Sequence, residues 1–259
     1  MPLIQSERDD VMAVITLTHE SRLNALSEAM VEEILEALET FKKDKTRVVV
    51  LRAAPGVKVW SAGHDVTELP LGRRDPLGWS DPLRILIRAI DEFPAPVIAL
   101  CEGGVWGGAC ELALACDLIV ATPDTTFAVT PAKLGVPYNA TGLLTFLNSV
   151  GYAVLKEMVF TATPIGAARA ERLGIVNHVV PPEEIDAFVA GLARKIAENS
   201  PLSIAVIKEQ LRVLAGAHPL TPRGFERLQG LRRVVYDSHD YEEGIRAFLE
   251  KRKPVYKGE

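Results

Sequence analysis

Two glycine-bearing segments hold the residue types best suited to chemistry. Trp60-Ser61-Ala62-Gly63-His64-Asp65 follows a short apolar stretch, and Gly103-Gly104-Val105-Trp106-Gly107-Gly108-Ala109-Cys110-Glu111 lies between an apolar run and a helical pattern. The first N–H groups of a helix have no partner within it and sit at the positive end of its dipole. Glycine at 107 and 108 lets a ligand oxygen approach the backbone with no Cβ in the way, so an anion or a developing oxyanion would be held there. A glycine pair before a helix also serves plain close packing, and on this segment alone both uses stand. The patterns GxGxxG and GxxxxGK[ST] are absent, which removes nucleotide-phosphate loops of those kinds.

The elements that must position these segments read as an alternation. Residues 3–7 and 11–17 flank Asp9-Asp10 as a hairpin. Ser27 is an N-cap for a helix carrying Met30, Val31, Ile34, Leu35, Leu38 and Phe41 on one face. Val48-Val49-Val50-Leu51 is a continuous apolar run, suited to a strand buried on both faces. A helix over 83–93, a strand over 96–100, a helix over 107–115 and a strand over 118–121 follow. This order predicts right-handed crossovers and a mostly parallel sheet, an α/β core over residues 1–200. After residues 175–180 the pattern is helical, over 184–198, 202–215, 224–236 and 241–251. Residues 201–259 are thus expected to cap the core or pack on a neighbouring subunit. The loop over 70–82, rich in Gly, Pro and charge, reads either as a lid or as a plain surface loop.

Composition removes several function classes. The 259 residues are 48% hydrophobic and 24% charged, with a formal net charge of −5. That is the balance of a folded protein, not the clustered basic footprint of a nucleic-acid binder. No apolar run approaches the ~18 residues of a membrane span, and the N-terminal residues carry no secretory pattern. Cys101, Cys110 and Cys116 are odd in number and lack metal-like spacing, which argues against a disulfide framework or zinc. They read as small buried hydrophobes, and a cytoplasmic location is expected.

Taken together, Arg22-Leu23-Asn24-Ala25-Leu26, Ser61-Ala62-Gly63-His64-Asp65, Gly107-Gly108-Ala109-Cys110-Glu111-Leu112 and residues 168–174 resemble the motifs of the crotonase (enoyl-CoA hydratase/isomerase) superfamily, in its order and spacing. The resemblance implies a crotonase-like spiral of ββα units with a helical C-terminal region that builds trimers, two of which often stack as a hexamer. It implies an acyl-CoA substrate and an oxyanion hole made by the N–H groups of His64 and Gly108, holding the thioester oxygen as an enolate. Ala62, Gly63, His64, Asp65 and Val66 would line the coenzyme A channel, with Arg22 from the neighbouring motif. Lys251 resembles the C-terminal basic residue that reaches the nucleotide end, although a solvated helix end is the plainer use of it. No metal or organic cofactor is implied, coenzyme A being part of the substrate.

The chain also departs from the hydratase pattern. Hydration uses two carboxylates. One falls on Glu111; the other belongs to a Phe-x-x-Pro-Glu segment, where this chain reads Phe127-Ala128-Val129-Thr130-Pro131. His64, Thr130-Pro131, the run Leu134-Gly135-Val136-Pro137-Tyr138-Asn139 and residues 225–254 resemble instead a decarboxylating branch of the family. There the expected reaction is loss of carbon dioxide from a carboxylated acyl-CoA, with the oxyanion hole as electron sink. Resemblance sets Tyr138 against the substrate carboxylate, with Thr130 in the same segment; taken alone, Tyr138 reads as an aromatic packed after a turn. Glu111 either reprotonates the enolate or complements a helix dipole. The His64 imidazole either acts as an acid or bonds locally. Two alternatives are another enolate-forming acyl-CoA enzyme (hydratase, isomerase or hydrolase) and a non-catalytic RNA- or CoA-binding protein, which the acidic balance opposes.

Overall fold

In the computed structural model, which describes residues 2–9, 11–70, 74–217 and 219–259, β1 (Ile4–Asp9) and β2 (Met12–Leu17) pair antiparallel as the expected hairpin. Asp10 of its turn lies outside the described residues. Helix α1 (Glu28–Lys43) then leads to β3 (Val48–Ala53), parallel to β2. The Ser27 hydroxyl accepts the Met30 N–H at 3.3 Å, the predicted cap. The chain continues through β4 (Val59–Ser61), α2 (Pro82–Asp91), β5 (Val97–Cys101), β6 (Gly104–Trp106), α3 (Gly108–Ala115), β7 (Leu118–Ala121), β8 (Thr126–Ala128), β9 (Ile165–Gly166) and β10 (His178–Val179). Six strands form one sheet in the order β1-β2-β3-β5-β7-β10, and β4-β6-β8-β9 form a second. Every neighbouring pair from β2 onward in the larger sheet is parallel. β3, β5 and β7 each feed a short strand of the second sheet, and after β4 and β6 a helix follows, which is the ββα spiral.

Period two explains why the long strands read as unbroken apolar runs. Val49, Leu51, Val97, Ala99, Cys101, Ile119 and Ala121 face the main core, which α1, α2 and α3 cover. Val48, Val50, Ile98, Leu100 and Val120 face the opposite side, covered by Ile185, Val189 and Ala193 of α7 (Pro182–Ala197). Both faces are dry, so no polar alternation survives. The second-sheet strands are three residues or fewer, too short for periodicity to reveal. Helices α4 (Ala140–Ser149), α5 (Tyr152–Thr161) and α6 (Ala167–Arg172), preceding α7, likewise have no counterpart in the sequence reading.

The last helices differ sharply from one another. Helix α8 (Pro201–Ala215) buries none of its residues, and α9 (Pro222–Tyr236) buries only Arg232. Helix α10 (His239–Leu249) returns to the body, where Tyr241 and Ile245 pack with Leu69, Leu77 and Val136. The described part of the 70–82 loop is tied down. Arg232 Nη1 donates to Asp75 Oδ2 at 2.8 Å, Asn139 Nδ2 to the Leu77 carbonyl at 3.0 Å, and the Tyr241 hydroxyl to the Pro70 carbonyl at 2.9 Å. Residues 71–73 of that loop lie outside the described residues. Among the described residues no helix is long and apolar enough to cross a membrane. The three cysteines are buried and unbridged, and burial pushes the Cys110 thiol up to about 12.

Candidate active site

The two glycine-bearing segments meet. A Cβ on Gly63 would lie 2.5 Å from the Gly108 nitrogen and 2.6 Å from the Trp106 carbonyl, and one on Gly108 would lie 3.3 Å from the His64 nitrogen. Only glycine at 63, at φ +89°, permits this approach. The 22–26 motif holds the first segment from behind. Ala62 N–H donates to the Leu23 carbonyl at 3.0 Å, Leu26 N–H to the Gly63 carbonyl at 2.8 Å, and Asp65 N–H to the Leu26 carbonyl at 3.4 Å. Buried Asn24 completes the zipper: its Nδ2 donates to the Trp60 carbonyl at 3.0 Å, and the Ser61 hydroxyl donates to its carbonyl at 2.6 Å. Arg22 pairs with Asp65 at 3.3 Å.

This pairing fixes where the His64 N–H points. Gly63 and Asp65 turn their bonding groups toward Leu26, so the group between them points to the other side, as peptides alternate along a strand. Gly108 is the first residue of α3, and its N–H has no acceptor within the helix. Among the described residues neither N–H has a hydrogen-bond partner. Two backbone donors on segments in van der Waals contact form a cradle for one oxygen.

The side-chain wall stands beside it. Thr130 Oγ1 would be 3.0 Å from a Cβ on Gly107, and no hydrogen bond engages it among the described residues. The Tyr138 ring packs edge-on to Phe146, with centroids 5.8 Å apart, at the start of α4, which Asn139 caps through the Gly142 N–H at 2.6 Å. Its hydroxyl donates to Glu111 Oε2 at 2.5 Å. The other oxygen of Glu111, only 1% exposed, is ion-paired with Arg84 on α2. Burial raises the Glu111 carboxyl above its ordinary value against the pull of Arg84 and Tyr138. Burial and the neighbouring Glu111 charge push the Tyr138 hydroxyl well up. Tyr138 therefore serves as a neutral donor rather than a phenolate. Losing either partner of a buried ion pair costs ~3–5 kcal/mol, so Arg84 and Glu111 stand or fall together.

Of the residues expected from the sequence, Gly63, His64 and Gly108 meet directly, Thr130 stands against Gly107, and Tyr138 bonds Glu111 one turn along α3. Ala62 is held by Leu23 and Asp65 by Arg22, whereas Val66 packs with Leu69 and Tyr241. Lys251 ends up exposed just beyond α10, and none of its described hydrogen bonds or ion pairs reaches the cradle. Reading the sequence missed Asp81 and Arg84. Asp81 precedes Pro82 and caps α2, its Oδ1 accepting the Arg84 N–H at 3.3 Å, a signal legible as Asp before a helix-starting proline. Arg84 is 5% exposed, a cation among the apolar positions of a helix, which burial tolerates only with a partner. A cavity of about 740 Å³, lined in part by Arg84, lies between α2, α4, α8 and α9. None of Gly63, His64, Gly108, Thr130 or Tyr138 lines it.

This spiral with its backbone cradle is the crotonase fold. The Enoyl-CoA hydratase/isomerase family model matches residues 7–259, and the chain belongs to that family. It is 50% identical over 247 residues, 95% of both chains, to methylmalonyl-CoA decarboxylase of Escherichia coli (strain K12). Methylmalonyl-CoA decarboxylase in complex with 2-nitronate-propionyl-CoA superposes with a TM-score of 0.98 at 48% identity, covering 99% of both chains. The complex of methylmalonyl-CoA decarboxylase with 2S-carboxypropyl CoA does so at 0.97 and 48%, covering 99% of this chain and 98% of the other.

Proposed function

We propose that this protein decarboxylates methylmalonyl-CoA to propionyl-CoA and carbon dioxide. The convergence of the unpartnered His64 and Gly108 N–H groups carries the reading, supported by half-identity to a decarboxylase over nearly the whole chain. The bond from the α-carbon to the carboxylate breaks and its electron pair moves into the thioester. The two N–H groups take up the charge on the enolate oxygen, carbon dioxide leaves, and a proton adds to the α-carbon. Each such donor is worth ~2.7–4 kcal/mol of transition-state stabilisation. The cradle is the electron sink, so the reaction as proposed uses neither metal nor organic cofactor.

The carboxylate wall suits loss rather than retention of the leaving group. A free cation there would stabilise the ground state, but Arg84 is committed to Glu111. That leaves the neutral hydroxyls of Thr130 and Tyr138 to hold the carboxylate out of the thioester plane. Tyr138 has one proton, which it gives to Glu111, so its service to the substrate requires redirection of that O–H. Ala62 to Val66 with Arg22 would line the coenzyme A channel, and Lys251 would approach the nucleotide end. The chain is further proposed to assemble as a homotrimer or dimer of trimers in the cytoplasm, with the exposed Leu202, Leu211, Leu214 and Val234 of α8 and α9 in subunit contacts.

The test is incubation of metal-free protein with methylmalonyl-CoA and, separately, with crotonyl-CoA, following product masses. Propionyl-CoA from the first and little or no hydration of the second are expected, since Pro131 stands where hydratases place a second carboxylate. Fast hydration without decarboxylation overturns the reading. Sedimentation velocity reads the assembly.

A further inference from the structure

The His64 ring sits between two oxygen acceptors. Nε2 lies 2.8 Å from Asp81 Oδ2, and Nδ1 lies 3.1 Å from the Asp65 carbonyl. A neutral imidazole has one N–H and one lone pair. Whichever tautomer it took, its lone pair would face an oxygen that has only lone pairs to offer. The doubly protonated ring satisfies both contacts. Both partners of the His64–Asp81 pair are largely shielded, at 12% and 10% side-chain exposure.

The charges around the ring agree. Burial, the largest influence, lowers its pKa, but the Asp81 bond and charge, the Asp65 carbonyl and the Glu68 charge together outweigh it, leaving His64 above 6.5. Asp81 faces the ring from α2, and Asp65 and Glu68 from its own segment. Asp65 is itself paired with Arg22, and farther along α2 and α3 stands the Arg84–Glu111 pair.

Asp81 also belongs to the turn that backs the other half of the cradle. One of its oxygens caps α2 and the other holds His64. Two residues on, a Cβ on Gly108 would strike Leu83 Cδ2 at 2.4 Å. One helical turn therefore touches both segments that supply the oxyanion hole.

Building on the proposed role of the two N–H groups, we propose that His64 works as an imidazolium clasped by Asp81, and that this clasp on the first turn of α2 holds the His64 and Gly108 N–H groups at their working separation. Asp81 is then a positioning residue, and the site carries an alkaline limit. A group raised in the folded protein keeps its contribution at low pH and loses it as pH rises through the raised value. Ring deprotonation puts a lone pair against Asp81 or Asp65, frees the 62–66 segment from α2 and weakens the cradle.

The experiment combines NMR titration of the substrate-free protein with the pH profile of decarboxylation, for the wild type, Asp81→Asn and His64→Gln. His64→Gln also assigns the ring signal among the five histidines. In the wild type the His64 ring is expected to be protonated at pH 7, and the backbone amide signals of His64 and Gly108 should follow its titration. The rate should fall as the same proton leaves. Asp81→Asn keeps a capping oxygen but removes the charge. It should move the ring titration, the amide titration and the alkaline limb of kcat together toward lower pH by about one unit or more, the scale of a lost charge partner. On the acid side of both titrations its kcat should stay within threefold of wild type, and on the alkaline side of both it should fall about tenfold or more, the ratio that a shift of that size gives. His64→Gln should lower kcat at every pH and abolish the limb. A ring neutral at pH 7, or amides that ignore the ring titration, overturns the clasp whatever the protein turns over. A ring and amides that shift in Asp81→Asn while the rate profile does not would deny the clasp any part in catalysis and leave the decarboxylase reading standing. Failure of every variant, wild type included, to decarboxylate would sink that reading instead, with the amide titration still deciding whether the clasp sets the cradle.

Discussion

On the His64–Gly108 side of the site the chemistry rests on peptide N–H groups. On the Tyr138–Glu111 side it rests on side chains. The first wall takes its shape from hard contacts: Gly63 within van der Waals reach of Gly108, and the 22–26 motif zipped behind it. A peptide N–H does not titrate, so this wall's donors are present at every pH and only their placement is at issue. The second wall is a chain of Arg84, Glu111 and Tyr138 in which the single hydroxyl proton of Tyr138 is already engaged in a hydrogen bond to Glu111. Its state depends on where a proton resides and on what the ligand offers. Charge stabilisation and substrate orientation thus fall to different groups in this molecule, the first to backbone donors that the proposed His64–Asp81 clasp positions, the second to side-chain hydroxyls and ionisable groups.

The most severe way to break the backbone wall is Gly63→Ala. The new methyl would enter the space of the Gly108 nitrogen and the Trp106 carbonyl, parting the two segments, so the loss of kcat should be on the order of a thousandfold, as for a removed oxyanion donor. Gly56→Ala supplies the contrast, because Gly56 also has a positive φ, +74°, but meets nothing within 4 Å. It should cost ~1–2 kcal/mol of stability from backbone strain and leave kcat unchanged, as thermal unfolding beside kinetics would show.

Gly108→Ala should come next. The far end of Leu83 can swing aside, but the methyl remains 3.3 Å from the His64 nitrogen, in the mouth of the cradle. A loss of about a hundredfold in kcat is expected, at the lower edge of the range for one donor. The double variant with Leu83→Ala should regain stability but not activity; recovered turnover would show that packing, not obstruction, caused the loss. Gly108→Pro removes the N–H outright, but its ring meets the same Leu83, so its stability must be measured alongside.

Tyr138→Phe sharpens the comparison from the other wall. It removes a hydrogen bond to a charged group, worth ~1.5–3 kcal/mol, so decarboxylation should slow roughly ten- to a hundredfold, while affinity for propionyl-CoA, which has no carboxylate, should hold. Glu111→Gln should be milder for the rate, yet it strands buried Arg84 and should lower the melting temperature more than Tyr138→Phe does. A dead Glu111→Gln beside a normal Tyr138→Phe would assign this wall to acid–base chemistry. The smallest effect is expected from Arg22→Ala. Its guanidinium side chain is 52% exposed and its bond to Asp65 is 3.3 Å, and such pairs are worth ~0.2–1 kcal/mol. A shift of a few-fold in KM, easing further with added salt, is the expected reading.

What the sequence determined by itself is what local pattern can carry. Apolar runs marked β3, β5 and β7, Ser27 marked the start of α1, and the glycine motifs marked where backbone would be laid open. These follow from period, capping chemistry and the absence of a Cβ, each legible within a few residues. Only the tertiary structure decided who faces whom. His64 meets Asp81 from 17 residues away, and Tyr138 reaches Glu111 from 27. Arg84, on a helix whose pattern announces nothing but burial, turns out to be the counter-ion of that carboxylate. Periodicity reports that a side chain turns inward. Its partner depends on the order of strands in the sheet and on the way α2 lies across α3, and these are set by packing over the whole chain.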